Sequence, residues 1–175
     1  MHPNCYTELE KFIKILPPDI NVLDYRNTLN STESPSVCDV GSYDINGCFR
    51  DSFPSNYSYT GVDIEAGPNV DVVLSDPHRW KELDGKQFDI VVSANTIEHV
   101  KDLYSWFREF AKIIKVGGYF HINSPVVHHI HRYPVDCWRV LPDGMEFLIK
   151  EVAELELIDC YCSENDLITI GRKVK

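Results

Sequence analysis

Short apolar runs alternate with helical stripes along most of this chain. The segments 36–40 (SVCDV), 57–64 (YSYTGVDI), 70–74 (VDVVL), 88–94 (FDIVVSA) and 119–123 (YFHIN) are rich in β-branched and aromatic residues and predict strands. Near the N-terminus, Leu9, Phe12, Ile13 and Leu16 form one helical stripe. Thr7 and Glu10 stand in capping-box spacing before it, and Pro17-Pro18 closes it. The segment DLYSWFREFAKIIK places Leu103, Trp106, Phe107, Phe110 and Ile114 on one face, with Gly117-Gly118 as its stop. A later helix opens on Pro142 and turns Met145, Leu148, Ile149 and Val152 inward. Segments 155–162 and 166–171 are two further strands, close enough to form a hairpin. Residues 19–35 are polar and turn-rich, and NSTESPS is the stretch expected to be most mobile.

Strand–helix alternation predicts an α/β fold: a Rossmann-like, mainly parallel sheet with helices on both faces. The closing hairpin adds one antiparallel strand. The length of 175 residues suits a single domain spanning 1–175, with an N-terminal helix and loop over 1–35 and the core sheet over 36–175. A hydrophobic content of 43% and a charged content of 25% are those of an ordinary soluble protein. There is no apolar run of membrane-spanning length and no signal-peptide core, so a cytoplasmic location is expected. Six scattered cysteines without a CxxC pair are expected to be thiols. The formal net charge of -10 opposes the phosphate neutralisation on which nucleic-acid binding depends, so no nucleic-acid partner is expected.

In parallel sheets ligands gather at the carboxyl ends of the strands. The first strand ends in VCDVGSYDINGCFR, where Gly41 turns the chain and Gly47 precedes a short helix. The second ends in GVDIE, with Asp63 at its tip, placed to accept hydrogen bonds from a ribose diol. Asp76, in LSDPH, has two readings: acceptor from an exocyclic amine, or cap of the next turn. A dinucleotide site would need GxGxxG, but Tyr43 occupies the second glycine position and would crowd a pyrophosphate.

These segments carry a resemblance. VCDVGSYDINGCFR, YTGVDIEAGPNVDVVLSD, FDIVVSANTIEHV, GGYFHINSP and HRYPVDCWR follow one another as in class I S-adenosylmethionine-dependent methyltransferases, over roughly residues 36 to 171. The resemblance implies a seven-stranded sheet with S-adenosylmethionine as cofactor. It also implies that Asp39, Gly41 and the adjoining Ser42 and Tyr43 cradle the methionine end. Asp63 would hold the ribose, Ile64 would pack on adenine and Asp76 would face its amine. Ser93 to Asn95 would lie beside the sulfonium. Asp39 has the alternative of bracing the glycine loop.

An alcohol acceptor needs a base, and histidine suits that role near neutral pH. Five of the seven histidines lie between 99 and 131. His121 alternates inside a strand and is expected to pack. His99, His128 and His131 compete for the role of base. HRYPVDCWR resembles a form found in methyltransferases of sugar and glycan synthesis, matched by His131, Pro134, Asp136 and Arg139. On that resemblance Asp136 would orient His131, while Tyr133, Trp138 and Arg139 would shape the acceptor pocket. Otherwise Asp136 and Arg139 pair only to hold the loop.

A magnesium-binding ExxEH follows the fourth strand in small-RNA 2'-O-methyltransferases and polyprenyl-phenol O-methyltransferases. Here the run is Asn95-x-x-Glu98-His99, without the first glutamate. Glu98 then reads as a helix-start residue. His128, His131 and Cys137 match no standard zinc spacing, and no metal is expected. The expected function is O-methylation of a sugar or glycan. Its alternatives are methylation of a phenol or carboxylate, or a non-catalytic S-adenosylmethionine-binding module. Almost no insertion extends beyond the core sheet. The acceptor is therefore left to a shallow groove or to a site completed by a second subunit, as in a homodimer.

Overall fold

The computed structural model describes residues 3–17 and 34–175. Of the turn-rich stretch 19–35, residues 19–33, with most of NSTESPS, lie outside the described residues. Seven strands form one sheet: β1 Ser36–Val40, β2 Ser58–Asp63, β3 Val72–Val73, β4 Phe88–Ala94, β5 Ile114–Pro125, β6 Glu156–Ser163 and β7 Asp166–Arg172. Their order is β3-β2-β1-β4-β5-β7-β6. Neighbours from β3 through β5 pair in parallel, and β7 runs antiparallel to both β5 and β6. The expected single reversed strand is therefore β7, inserted between β5 and its hairpin partner. Six of its seven residues are buried, which explains the apolar run LITI.

Alternation along the strands sends side chains to two layers. Cys38, Val40, Val62, Val91, Phe120 and Ile122 face a core filled by α2 (Leu103–Lys112), α3 (Pro142–Phe147) and a π-type turn, Leu148–Val152. Asp102 caps α2 by accepting the Ser105 N–H, and Trp106, Phe107 and Phe110 pack beneath it. Val37, Ile90, Val92, Ile168 and Ile170 face α1 (Pro3–Ile15) on the opposite side. His121 lies there with no exposed surface, between Phe12 and Phe49, a packing residue as expected.

Two local expectations are corrected. α1 begins at Pro3 rather than at Thr7. Proline suits a first turn because it lacks an N–H to satisfy, and the Thr7 hydroxyl donates back to the Pro3 carbonyl. Gly117 and Gly118 lie within β5 rather than stopping a helix. α2 already ends at Lys112, and Ile114 pairs with Phe88 before a register shift. A side chain on Gly118 would meet the Asp89 carbonyl at 2.9 Å, so this irregular pairing needs glycine. The short helix expected after Gly47 is one 3-10 turn, Arg50–Ser52, and the connections at Lys81–Leu83 and Ile97–His99 are equally short. No described helix is long and apolar enough to cross a membrane.

Candidate active site

The strand order reverses between β1 and β4, opening a crevice at their carboxyl ends. Gly41 turns out of β1 with φ +82, and a Cβ there would overlap the Thr96 side chain at 2.1 to 2.8 Å. The Gly41 and Ser42 N–H groups both donate to the Val62 carbonyl, and the Ser42 hydroxyl donates to the Asn69 carbonyl. The loop is thereby fastened to the end of β2. There the Asp63 carboxylate accepts from the backbone N–H groups of Tyr43 (3.0 Å), Ile64 (2.7 Å) and Glu65 (3.3 Å). Gly41, Ser42, Tyr43, Asp63 and Ile64 are thus brought to one rim, with Ile64 about half exposed at 47%. The Tyr43 ring rests on the backbone of Gly67.

Asp39 lies near the end of β1. It is buried and accepts from the Tyr59 hydroxyl, and the Tyr59 ring lies 4.4 Å beneath the Arg50 guanidinium. Arg50 in turn binds Asn69 and Asp71. These contacts suit the bracing alternative. Burial pushes the Asp39 carboxyl up to about 7, above the ~3.9 of an unfolded chain. Between those values the folded protein keeps a proton that the unfolded chain has lost. Stability therefore falls as pH rises through this window, by at most roughly 1.4 kcal/mol per pH unit. The urea midpoint of Asp39→Asn is expected to fall less than that of the wild type between about pH 5 and about pH 7. Equal changes in the two proteins would contradict this.

Asp76 is exposed and accepts the His78 N–H at 2.8 Å, so its turn-capping role is present. Ser93 is fully buried and its hydroxyl donates to the Val40 carbonyl at 2.8 Å, tying β4 to β1. Asn95 has φ 51, and its amide is directed to Cys5 of α1 at 3.6 Å.

The loop after β5 is fastened across the exit of β4. The Cys137 N–H donates to the Glu98 carbonyl (2.7 Å) and the Trp138 indole to the Val100 carbonyl (2.7 Å). Asp136 accepts both terminal nitrogens of Arg139, at 2.5 and 2.8 Å, and the His131 backbone N–H at 2.7 Å. Arg139 also reaches the carbonyls of His129 and Trp138. Asp136 and Arg139 therefore hold the loop, and the guanidinium keeps the carboxyl well below its ordinary range.

The loop delivers His131 to Glu98 and His99. Val135 O accepts from His99 Nδ1 at 2.5 Å, so that nitrogen carries the proton and Nε2 is left bare. His99 Nε2 lies 3.7 Å from Glu98. His131 Nδ1 sits 3.2 Å from the His129 carbonyl and 3.5 Å from Asp136, and its Nε2 faces Glu98 at 3.9 Å. Glu98 is 1% exposed, and neither of its carboxylate oxygens has a hydrogen-bond partner. Burial pushes that carboxyl up to about 8 and moves His99 below its ordinary value. His128 lies alongside, its ring 4.8 Å from that of His131. Tyr133 and Trp138 are 64% and 42% exposed on the same loop.

Glu98 is the residue that sequence reasoning passed over. Its signal was the surviving half of ExxEH, set aside with the missing first glutamate. His128, His131 and Cys137 do not assemble as a set. Among the described residues, the donors that cluster are those of Glu98, His99 and His131.

Residues 38–122 match the model of a methyltransferase domain. No curated relative matches by sequence. A TehB-like S-adenosylmethionine-dependent methyltransferase from Corynebacterium glutamicum is similar in structure at 15% identity and TM-score 0.57, covering 98% of this chain and 100% of that one. An S-adenosylmethionine-dependent methyltransferase from Clostridium acetobutylicum is similar at 9% identity and TM-score 0.64, covering 97% and 92%. An O-methyltransferase family 2 protein from Planctomyces limnophilus, in complex with apigenin, is similar at 13% identity and TM-score 0.59, covering 99% and 62%. Residues 38–122 thus match a methyltransferase domain, and the described chain has the Rossmann-like fold of the S-adenosylmethionine-dependent methyltransferases it is similar to.

Proposed function

We propose that this enzyme transfers the methyl group of S-adenosylmethionine to a hydroxyl of a sugar or glycan. The observation that carries this reading is the group formed by Glu98, His99 and His131 beyond the tip of β4. The Nε2 atoms of both imidazoles face a buried carboxyl group there. An alcohol is a poor nucleophile until its proton is removed, and such a group meets that need. A module that only binds S-adenosylmethionine has no use for a buried carboxylate without a partner, which costs stability. Tyr133 and Trp138 support the sugar as acceptor, since exposed aromatic faces suit the apolar side of a pyranose. In this reading Asp63 holds the ribose, Ile64 covers the adenine and the Gly41–Tyr43 turn takes the methionine end.

The test is a transfer assay with methyl-labelled S-adenosylmethionine over nucleotide sugars, free glycans, carboxylates and phenols, apigenin among them. Label is expected in the sugar fractions as an alkali-stable ether. Label in phenols alone would sink the sugar assignment. Calorimetry with S-adenosylmethionine and its demethylated product checks the cofactor separately.

A further inference from the structure

We propose that Glu98, His99 and His131 bind one divalent first-row transition cation, of the zinc or cobalt kind, with coordination positions left open toward the acceptor. Three independent features converge on this. First, both oxygens of Glu98 are buried and unpartnered. Such a group costs stability, and a positive centre in front of it removes that cost. Second, each histidine is held through Nδ1, His99 by the Val135 carbonyl and His131 by the His129 carbonyl with Asp136 close by. That fixes both rings in the tautomer whose Nε2 lone pair is available, the outer-shell arrangement common to metal-binding histidines. Third, one donor atom from each residue lies within 4.8 Å of the other two. Ligands on one zinc stand roughly 3.0–3.4 Å apart, given bonds of about 2.0–2.1 Å. Side-chain movements on the order of an ångström close the set.

A direct Glu98–histidine hydrogen bond does not account for the cluster, because the contacts of 3.7 and 3.9 Å are too long. The donor set also selects the ion. Two imidazoles and one carboxylate suit zinc, cobalt or manganese, whereas magnesium prefers an all-oxygen shell. Asn95, which stands where ExxEH carries its first glutamate, directs its amide to Cys5 at 3.6 Å. Three protein ligands leave room for a hydroxyl. An acceptor hydroxyl on the cation loses its proton to water. The alkoxide lone pair then forms the O–CH3 bond as the C–S bond breaks, and the sulfonium leaves as the neutral thioether. That catalytic step rests on the proposed O-methylation; cation binding itself does not.

The experiment titrates chelator-treated, full-length protein with Co2+ and follows visible d–d absorption, with Zn2+ as competitor and Mg2+ as the negative comparison. One Co2+ per chain is expected, displaced by Zn2+ and not by Mg2+. Glu98→Gln and His99→Ala should each weaken binding by about 10–100-fold, while His129→Ala, an exposed neighbour, should not. Circular dichroism and S-adenosylmethionine affinity verify that each variant is folded. Absence of Co2+ binding would overturn the site. So would equal binding by both ligand variants, which would point to the surface histidines alone. Full methyl transfer after chelation, with Co2+ binding intact, would overturn the catalytic role.

Discussion

Replacing His131 with alanine is expected to slow methyl transfer at saturating acceptor by roughly 10²–10⁴-fold. S-adenosylmethionine affinity should be unchanged. The imidazole is held with Nε2 toward Glu98, and its loss removes one of the two imidazoles from the group proposed to activate the hydroxyl. The substitution is also locally clean. Asp136 accepts from the backbone N–H of His131, and Arg139 grips the same carboxylate, so the loop's brace survives the change. Substituting Asp136 is a poorer probe, because it frees the Arg139 guanidinium and leaves the His131 N–H without its acceptor. Single-turnover rates together with calorimetry separate chemistry from binding. An unchanged rate in His131→Ala would remove this histidine from the mechanism and pass its role to His99 or His128.

The second large effect is expected on the cofactor side. Asp63→Ala should weaken S-adenosylmethionine binding by about 10–100-fold, the loss of charge-assisted hydrogen bonds worth roughly 1.5–3 kcal/mol. The carboxylate is preset for an incoming diol. Donors from Tyr43, Ile64 and Glu65 hold both of its oxygens in place. The same bonds tie the glycine loop to β2, so the variant loses some order in the loop as well as a ligand. Calorimetric titration of folded Asp63→Ala gives the answer, and wild-type affinity would refute the ribose assignment.

Most of the architecture was legible because it rests on local periodicity. β4 falls where the apolar run FDIVVSA placed it, and the β6–β7 hairpin where two runs meet across a short turn. Helix boundaries fared worse, since pairing overrides local stop signals. Gly117-Gly118 looks like a helix end, yet β5 recruits it because β4 offers a partner from Phe88 onward. The short helix expected after Gly47 is a single 3-10 turn.

The candidate site divides in the same way. Gly41, Asp63 and Ile64 were readable from the chain alone, because a strand tip followed by glycine or an acid lies at the crevice in any sheet of this connectivity. The fate of Asp136 and Arg139 was open until the loop closed, and they bind each other. Glu98 and His131 stand far apart in sequence, one after β4 and the other after β5. Only the parallel pairing of those strands brings their exits side by side, and only the Asp136 brace turns His131 inward. Local propensity specified the strands, the turns and the rim at the tips of β1 and β2, because those depend on neighbours in the chain. The histidine–carboxylate group was decided by tertiary structure, because it consists of contacts between segments that only the completed sheet makes adjacent.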